Sequence, residues 1–226
     1  MPHKRKPLNV SGANLWYLVG LITTDGCLSS DGRHIEITAK DPRYLVTVRE
    51  ALGVKNKIGV KNANKLNRSH YIAFSNVEFY EFLMSIGLTP CKSLDLDEIW
   101  VQDEYFHDFL RGVIDGDGCI RKWIHPGNKN EQWSLRIYSC SIRFLEWLQK
   151  EIEQLFKVKG RIHREKKERP LADLLILKYG KLAAQVIFAK CYYKDAVSLD
   201  RKAVLAKACC LSGTGWKKSK TVLSLN

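Results

Sequence analysis

Two acidic residues, Asp25 and Asp117, stand at matching places in the chain, each closing an apolar run and each followed by glycine. The first run reads Tyr17-Leu18-Val19-Gly20-Leu21-Ile22-Thr23-Thr24-Asp25-Gly26, and the second Phe109-Leu110-Arg111-Gly112-Val113-Ile114-Asp115-Gly116-Asp117-Gly118. Two carboxylates brought together repel, so such a pair is stable only with a proton or a cation beside it. An all-oxygen ligand set suits a hard divalent ion such as Mg²⁺. In a basic chain, paired acids on a metal suggest phosphodiester hydrolysis, in which ions stabilise the attacking and leaving oxygens. Either Asp alone could be a mere helix-end residue before glycine; the duplication argues against that for both.

The elements that must position the acids are the helices preceding them. Leu18, Leu21 and Ile22 share one helical face, as do Leu110, Val113 and Ile114, so both faces need burial. Gly20 and Gly112 cost roughly 1 kcal/mol each relative to Ala inside a helix, a cost that makes sense where another helix backbone comes close. Packing the two copies glycine to glycine, with each helix stopping at Gly26 or Gly118, brings Asp25 and Asp117 together.

At these residues the chain resembles the LAGLIDADG homing endonucleases in their single-chain, two-motif form, over most of its length. The resemblance implies that Asp25 and Asp117 bind the catalytic metal, with the backbone carbonyls of Thr24 and Gly116 as further ligands. It implies Mg²⁺ as cofactor, with Mn²⁺ or Ca²⁺ able to substitute for binding. The first motif departs from the family pattern in having Thr23-Thr24 where Asp-Ala is usual; that earlier acid is not the metal ligand in the family. The family also uses basic or polar residues near the metals to orient water and steady charge. Lys40 and Lys181, each at a strand-to-helix junction, match that role, whereas their counterparts, Cys140 and Asn76 or Val77, cannot act as cations. Either lysine could instead be a surface residue at a helix start, a reading weaker than the first, most of all for Lys40.

Composition agrees with a polyanionic partner. The chain has 226 residues, a net charge of +13 and 45% hydrophobic residues, enough for a core. The excess is uneven: residues 1–100 carry 13 Lys/Arg against 10 Asp/Glu, and residues 101–226 carry 24 against 14. No run of about 18 apolar residues suggests a membrane span. Seven cysteines, an odd number without a Cys-x-x-Cys pair, suggest a reduced, intracellular protein in cytoplasm, nucleoid or organelle. The basic segment Met1 to Pro7 lacks the apolar core of a secretory signal.

The 92-residue offset between the acids divides the chain into two equivalent halves. Residues 1–90 form the first, a linker spans about 88–101, and 102–226 form the second, with a C-terminal helix and basic tail. In the first half the pattern predicts a helix over 14–24 and a hairpin around Asp31-Gly32. A helix from Asp41 to Leu52 follows, then a second hairpin, Lys57 to Lys61 with Ser69 to Ser75, and a helix over 77–86. In the second half it predicts a helix from Asp103 to Asp115 and a hairpin of Ile120 to His125 with Gln132 to Cys140. Next come a helix from Ser141 to Phe156, a hairpin of Lys159 to Arg164 with Leu171 to Tyr179, and a helix from Lys181 to Lys190. A last amphipathic helix, Ser198 to Leu211, is expected to bury Val204, Leu205 and Ala208. The expected fold is α+β: two αββαββα halves related by a pseudo-twofold axis through the paired helices, with antiparallel sheets covered by helices on one face. The family's sheets form a saddle that receives a DNA duplex.

Alternation along the strands assigns the solvated face. It offers Ser29, Arg33, His34, Glu36, Thr38, Lys57, Lys61, Arg68 and Tyr71 in the first half, and Arg121, Trp123, His125, Gln132, Ser134, Arg136, Tyr138, Arg161 and His163 in the second. Arg pairs with guanine edges, Gln with adenine, and Glu accepts from cytosine, a mixture suited to major-groove readout, although polar residues on an open sheet face are also ordinary. The run Lys157 to Arg169 and the segment Trp216-Lys217-Lys218-Ser219-Lys220 are candidate phosphate contacts. The resemblance thus implies a monomeric, intron-encoded endonuclease that cuts both strands of a long, asymmetric double-stranded DNA site, without a membrane. The other readings are an intron RNA-splicing maturase and a catalytically silent DNA-binding relative.

Overall fold

The computed structural model describes residues 8, 10–61, 68–90, 95–165 and 174–213. The arm 1–7, the turn 62–67, the part of the basic run beyond 165 and the tail after 213 lie outside the described residues. Helix α1 (Gly12–Asp25) leads to β1 (Gly26–Leu28), β2 (His34–Ala39), α2 (Pro42–Leu52), β3 (Ile58–Lys61), β4 (Ser69–Ser75) and α3 (Val77–Ser85). After a 3₁₀ turn (Asp103–Tyr105) the order repeats as α4 (Phe106–Asp117), β5 (Gly118–Ile124), β6 (Glu131–Ser139), α5 (Ile142–Phe156), β7 (Arg161–Glu165), β8 (Leu174–Gly180) and α6 (Lys181–Cys191). Helix α7 (Asp200–Leu211) has no counterpart among the described elements of the first half. The two sheets run β1-β2-β4-β3 and β5-β6-β8-β7, antiparallel throughout.

Local chemistry sets the element ends. The Asp41 carboxylate accepts from the Arg43 N–H at 2.9 Å, and Gly53 stops α2 in the left-handed region at φ 65°. Asn76 caps α3 by accepting from the Phe79 N–H at 2.8 Å. The Ser141 hydroxyl accepts from Phe144 N–H at the start of α5 and donates to the Leu96 carbonyl, fixing the inter-half segment to the second half. The Asp31 carboxylate accepts from the N–H groups of Arg33 and His34, shaping the β1–β2 turn.

Strand alternation sends Ile35, Ile37, Ile72 and Phe74 of one sheet, and Leu135, Ile137, Leu175 and Leu177 of the other, into one core. The helices complete that core, and α1 against α4 is the principal helix contact. No helix among the described residues is long and apolar enough to cross a membrane.

Two expectations are corrected. The second motif helix begins at Phe106 after a 3₁₀ turn and runs to Asp117, so that Gly118 already belongs to β5. Helix α7 does not bury Val204, which is 67% exposed, or Ala208; it buries Lys202, Ala206 and Cys209. The reason is electrostatic: the buried face is chosen by an ammonium that meets the carbonyl end of α4.

Candidate active site and nucleic-acid face

The motif helices touch backbone to backbone. A Cβ built on Gly20 would lie 2.0 Å from the Phe109 carbonyl oxygen, and one on Gly112 would lie 2.1 Å from that of Tyr17. Only glycine fits at either place. A Cβ on Gly116 would lie 1.9 Å from the Thr24 hydroxyl and 3.3 Å from a carboxylate oxygen of Asp25. The Asp25 carboxylate therefore rests against the residue preceding Asp117, and the two helix tips meet. Asp25 is half-buried and Asp117 exposed. Both helices end here, so the negative ends of two helix dipoles add to two carboxylates and favour a cation.

A cation of the chain already reaches one of the tips. The Lys202 ammonium donates to the carbonyls of Ile114 and Asp115, both at 2.6 Å, and of Gly116 at 3.0 Å. They lie in the last turn of α4, where carbonyls run out of intrahelical donors; the Ile114 carbonyl also accepts from the Gly118 N–H. Burial pulls Lys202 down to about 8, opposed by the nearby carboxylate of Asp115. Asp115 is itself buried, accepting from Tyr17 OH at 3.0 Å, Tyr192 OH at 2.7 Å and the Leu199 N–H at 2.7 Å. Burial pushes its carboxyl up to about 6 despite those donors. Tyr17 also bonds Tyr44 at 2.5 Å, so the network joins α1 and α2 to α4 and the α6–α7 connection.

One turn back along α4, Arg111 is fully buried. It pairs with Asp108 at 2.7 Å and donates to the carbonyls of Val197 and Cys191 at 2.8 and 2.9 Å. Its guanidinium lies over the rings of Tyr17 and Tyr193, about 5 Å from each centroid. The aligned positions of the first motif, Trp16, Val19 and Thr23, form no such network; Thr23 simply donates to the Val19 carbonyl of its own helix. Asp108, Arg111, Asp115 and Lys202 were not singled out by sequence reasoning. The available signals were the three-residue spacing of Asp108 and Arg111 within an apolar helix and the Tyr192-Tyr193 pair.

The expected site lysines are placed apart. Lys40 is exposed between β2 and the cap of α2. The Lys181 ammonium donates to the carbonyls of Glu131 at 3.1 Å and Gly213 at 2.6 Å. Glu131 pairs with Ile124 at the end of the β5–β6 ladder opposite Gly118, so Lys181 is not gathered with the acids.

The sheet faces turned away from the core carry the expected polar residues. On the first, Glu36 and Thr38 lie opposite the buried faces of Ile35 and Ile37; Glu36 holds Lys61 at 2.5 Å and accepts from Thr38. Tyr71 lies across Gly59. Ser29 is half-buried, Lys57 and Arg68 are exposed, and Arg33 and His34 are exposed beside Asp31. On the second, Arg121, Trp123, Arg161 and His163 are exposed, and Gln132, Arg136 and Tyr138 are half-buried. The His125 ring accepts from the N–H groups of Gly127 and Asn128 in its own turn, and Ser134, expected on the solvated face, is instead fully shielded from solvent on the central strand β6. Register adds Lys178, which lies directly beside both Arg136 and Arg161.

Paired motif helices whose acidic tips meet beneath two open sheets define a class, and the comparisons agree. Residues 13–87 match the family model described as a LAGLIDADG-like domain. The matched segment holds the first motif, and the second motif lies at the equivalent place in the structural repeat. No curated protein matches it. Among solved structures it is similar to the homing endonuclease I-WcaI bound to its DNA recognition sequence, at 12% identity, TM-score 0.61, 87% of this chain and 87% of that one. It is similar to I-DmoI in complex with DNA and Ca, at 16% identity, TM-score 0.52, 87% of this chain and 97% of that one. It is also similar to full-length DUF199/WhiA from Thermatoga maritima, at 18% identity and TM-score 0.55; the match covers 90% of this chain but 62% of WhiA. These likenesses establish the fold.

Proposed function

We propose that this protein is a site-specific DNA endonuclease that hydrolyses both strands of a long, asymmetric target and acts as a monomer. The observation that carries the reading is the seating of the Asp25 carboxylate against Gly116, which joins the two acidic tips in one place. The donor set there, two carboxylates beside helix-end carbonyls, fits a hard divalent ion such as Mg²⁺. Asp25 and Asp117 would hold it, with the carbonyls of Thr24 and Gly116 adjacent; Gly116 O already accepts from Lys202 and retains a lone pair. When bound, the metal supplies Lewis-acid stabilisation of the phosphodiester oxygens. The chain's own share is positioning: glycine contacts fix the tips, and Lys202 fixes the carbonyl end of α4. Lys40, exposed at the strand end beside the first half-site, is the residue we assign to steadying charge near the phosphate. One chain supplies both motifs, so no second copy is needed to complete the pair. In support, I-WcaI and I-DmoI share the fold and were solved with DNA.

Asp25→Asn or Asp117→Asn should abolish cleavage of a selected plasmid target while leaving mobility-shift affinity largely intact. Full cleavage by either variant would refute these roles. A catalytically silent DNA-binding protein is the second reading, favoured by one observation: the Lys202 ammonium supplies positive charge at a tip without any metal. Binding without metal-dependent cleavage by the unaltered protein would select it.

A further inference from the structure

The two open sheet faces carry opposite charge at equivalent positions. In the first sheet Cys27 pairs with Glu36, and Glu36 with Ala73. In the second, Cys119 pairs with Arg136, and Arg136 with Lys178, which pairs in turn with Arg161. The ladders align from the motif acids outward, because Gly26 pairs with Ile37 as Gly118 pairs with Ile137. Glu36 and Arg136 are therefore counterparts on the central strands, each pointing away from a fully buried neighbour on either side.

Their surroundings sharpen the difference. Arg136, Lys178 and Arg161 stand in one cross-strand row, and none of them forms an ion pair among the described residues. Like charges placed directly opposite in a sheet destabilise it. Arg136 also keeps a buried Nε without a hydrogen-bond partner, an arrangement that costs free energy until an acceptor arrives. Glu36, by contrast, is already held by Lys61 and Thr38, which fix a carboxylate on a face otherwise offering Thr38, Tyr71 and Ser69. One face presents donors seeking acceptors; the other presents a fixed acceptor.

We propose that Glu36 and Arg136 read chemically opposite bases at pseudo-symmetric positions of the DNA, Glu36 an amino-bearing base, cytosine foremost, and Arg136 a guanine, so that this pair sets which half-site each sheet takes. The inference rests on the DNA-recognition reading above. Carboxylates accept from cytosine N4, and Arg donates in a two-pronged contact to guanine O6 and N7. Counted on symmetry-related strands, a perfect palindrome offers the same base at both positions, so that only one of the two side chains meets its preferred base.

The test is a binding selection from a randomised duplex pool, scored for base preference at every position. It is run with the unaltered chain, with Glu36→Gln and with Arg136→Gln. Each Gln variant should change preference at a single position, from cytosine to adenine for Glu36→Gln and from guanine to adenine for Arg136→Gln. The two positions should be equidistant from the cleavage centre. The preference lost should be roughly 5- to 150-fold, as expected for a good side-chain contact to a base edge. Glu36→Arg should make the two half-sites alike there, raising affinity for the duplex with guanine at both positions. A recovered site whose base preferences are untouched by all three variants overturns this inference and leaves the nuclease reading standing. A selection that recovers no sequence overturns both.

Discussion

Replacing Gly112 by alanine tests the geometry on which the proposed site depends. The new methyl carbon would stand 2.1 Å from the Tyr17 carbonyl oxygen and 2.7 Å from the Leu21 nitrogen, where ordinary contact begins near 3.4 Å. Both obstacles are backbone inside a helix, so no rotamer change clears them, and α1 must retreat from α4 by about 1 Å. Alanine gains about 1 kcal/mol of helix propensity over glycine, whereas overpacking a filled interior costs typically 1–3 kcal/mol and occasionally more. A backbone clash belongs at the upper end, which leaves a net loss of about 2 kcal/mol. Function should suffer more than stability, because the same contact sets the spacing of Asp25 and Asp117, and displacement by 1 Å can cost about 100-fold in rate. Gly180→Ala is the control: a Cβ there meets nothing within 4 Å, and the residue caps α6 with ordinary φ. Urea unfolding and single-turnover cleavage of both variants decide the matter. A Gly112→Ala protein that matches Gly180→Ala in both measurements would refute the close-packed helix pair as the device that aligns the acids.

Two further outcomes follow from the polar network beneath the site. Lys202→Met should destabilise the fold by about 3–5 kcal/mol, the range for removing one partner of a buried charged set, because three carbonyls and Asp115 lose their cation; denaturant unfolding reads this directly. For Asp115, burial pushes the folded carboxyl up to about 6, well above the usual carboxylate range. The folded state therefore binds more protons between about pH 4 and pH 6, and stability contributed by this group falls as pH rises through that window and is flat above it. Asp115→Asn should remove that component, visible as a changed slope of unfolding free energy against pH for the variant relative to the parent.

The parts of the fold legible in the sequence are those written as a period or a punctuation mark. Alternation in Ile35-Glu36-Ile37-Thr38 fixes both a strand and its buried side, and the Asp41-Pro42 start and Gly53 stop bracket α2 within a residue. The meeting of Asp25 and Asp117 was legible because Gly20 and Gly112 are expensive in helices, so a close partner had to exist. What stayed hidden is the interior polar chemistry. Hydropathy reasoning places lysine outside, and it chose Val204 and Ala208 as the buried stripe of α7. Lys202 is buried because its partners are backbone carbonyls of α4, some 88 residues distant in sequence, and main-chain acceptors leave no mark in the residue types.

The hidden network also explains how two halves with one topology come to differ. In α1 the motif helix is held by apolar packing, with Trp16, Val19 and Thr23 where α4 has Asp108, Arg111 and Asp115. The side chains of α4 instead reach the 191–199 segment, and Lys202 of α7 reaches back to the carbonyl end of α4, so the chain's last described helix docks through charge as well as through buried Ala206 and Cys209. Charge requires registry: Arg111 must find the carbonyls of Cys191 and Val197, and Lys202 those of residues 114–116, or the groups are left buried and unpaired. Apolar stripes tolerate sliding; this arrangement does not. The second acidic tip is therefore held in place from below by α7, while the first is held by its contact with the second, and any change in the docking of α7 should be felt at Asp117 before it is felt at Asp25.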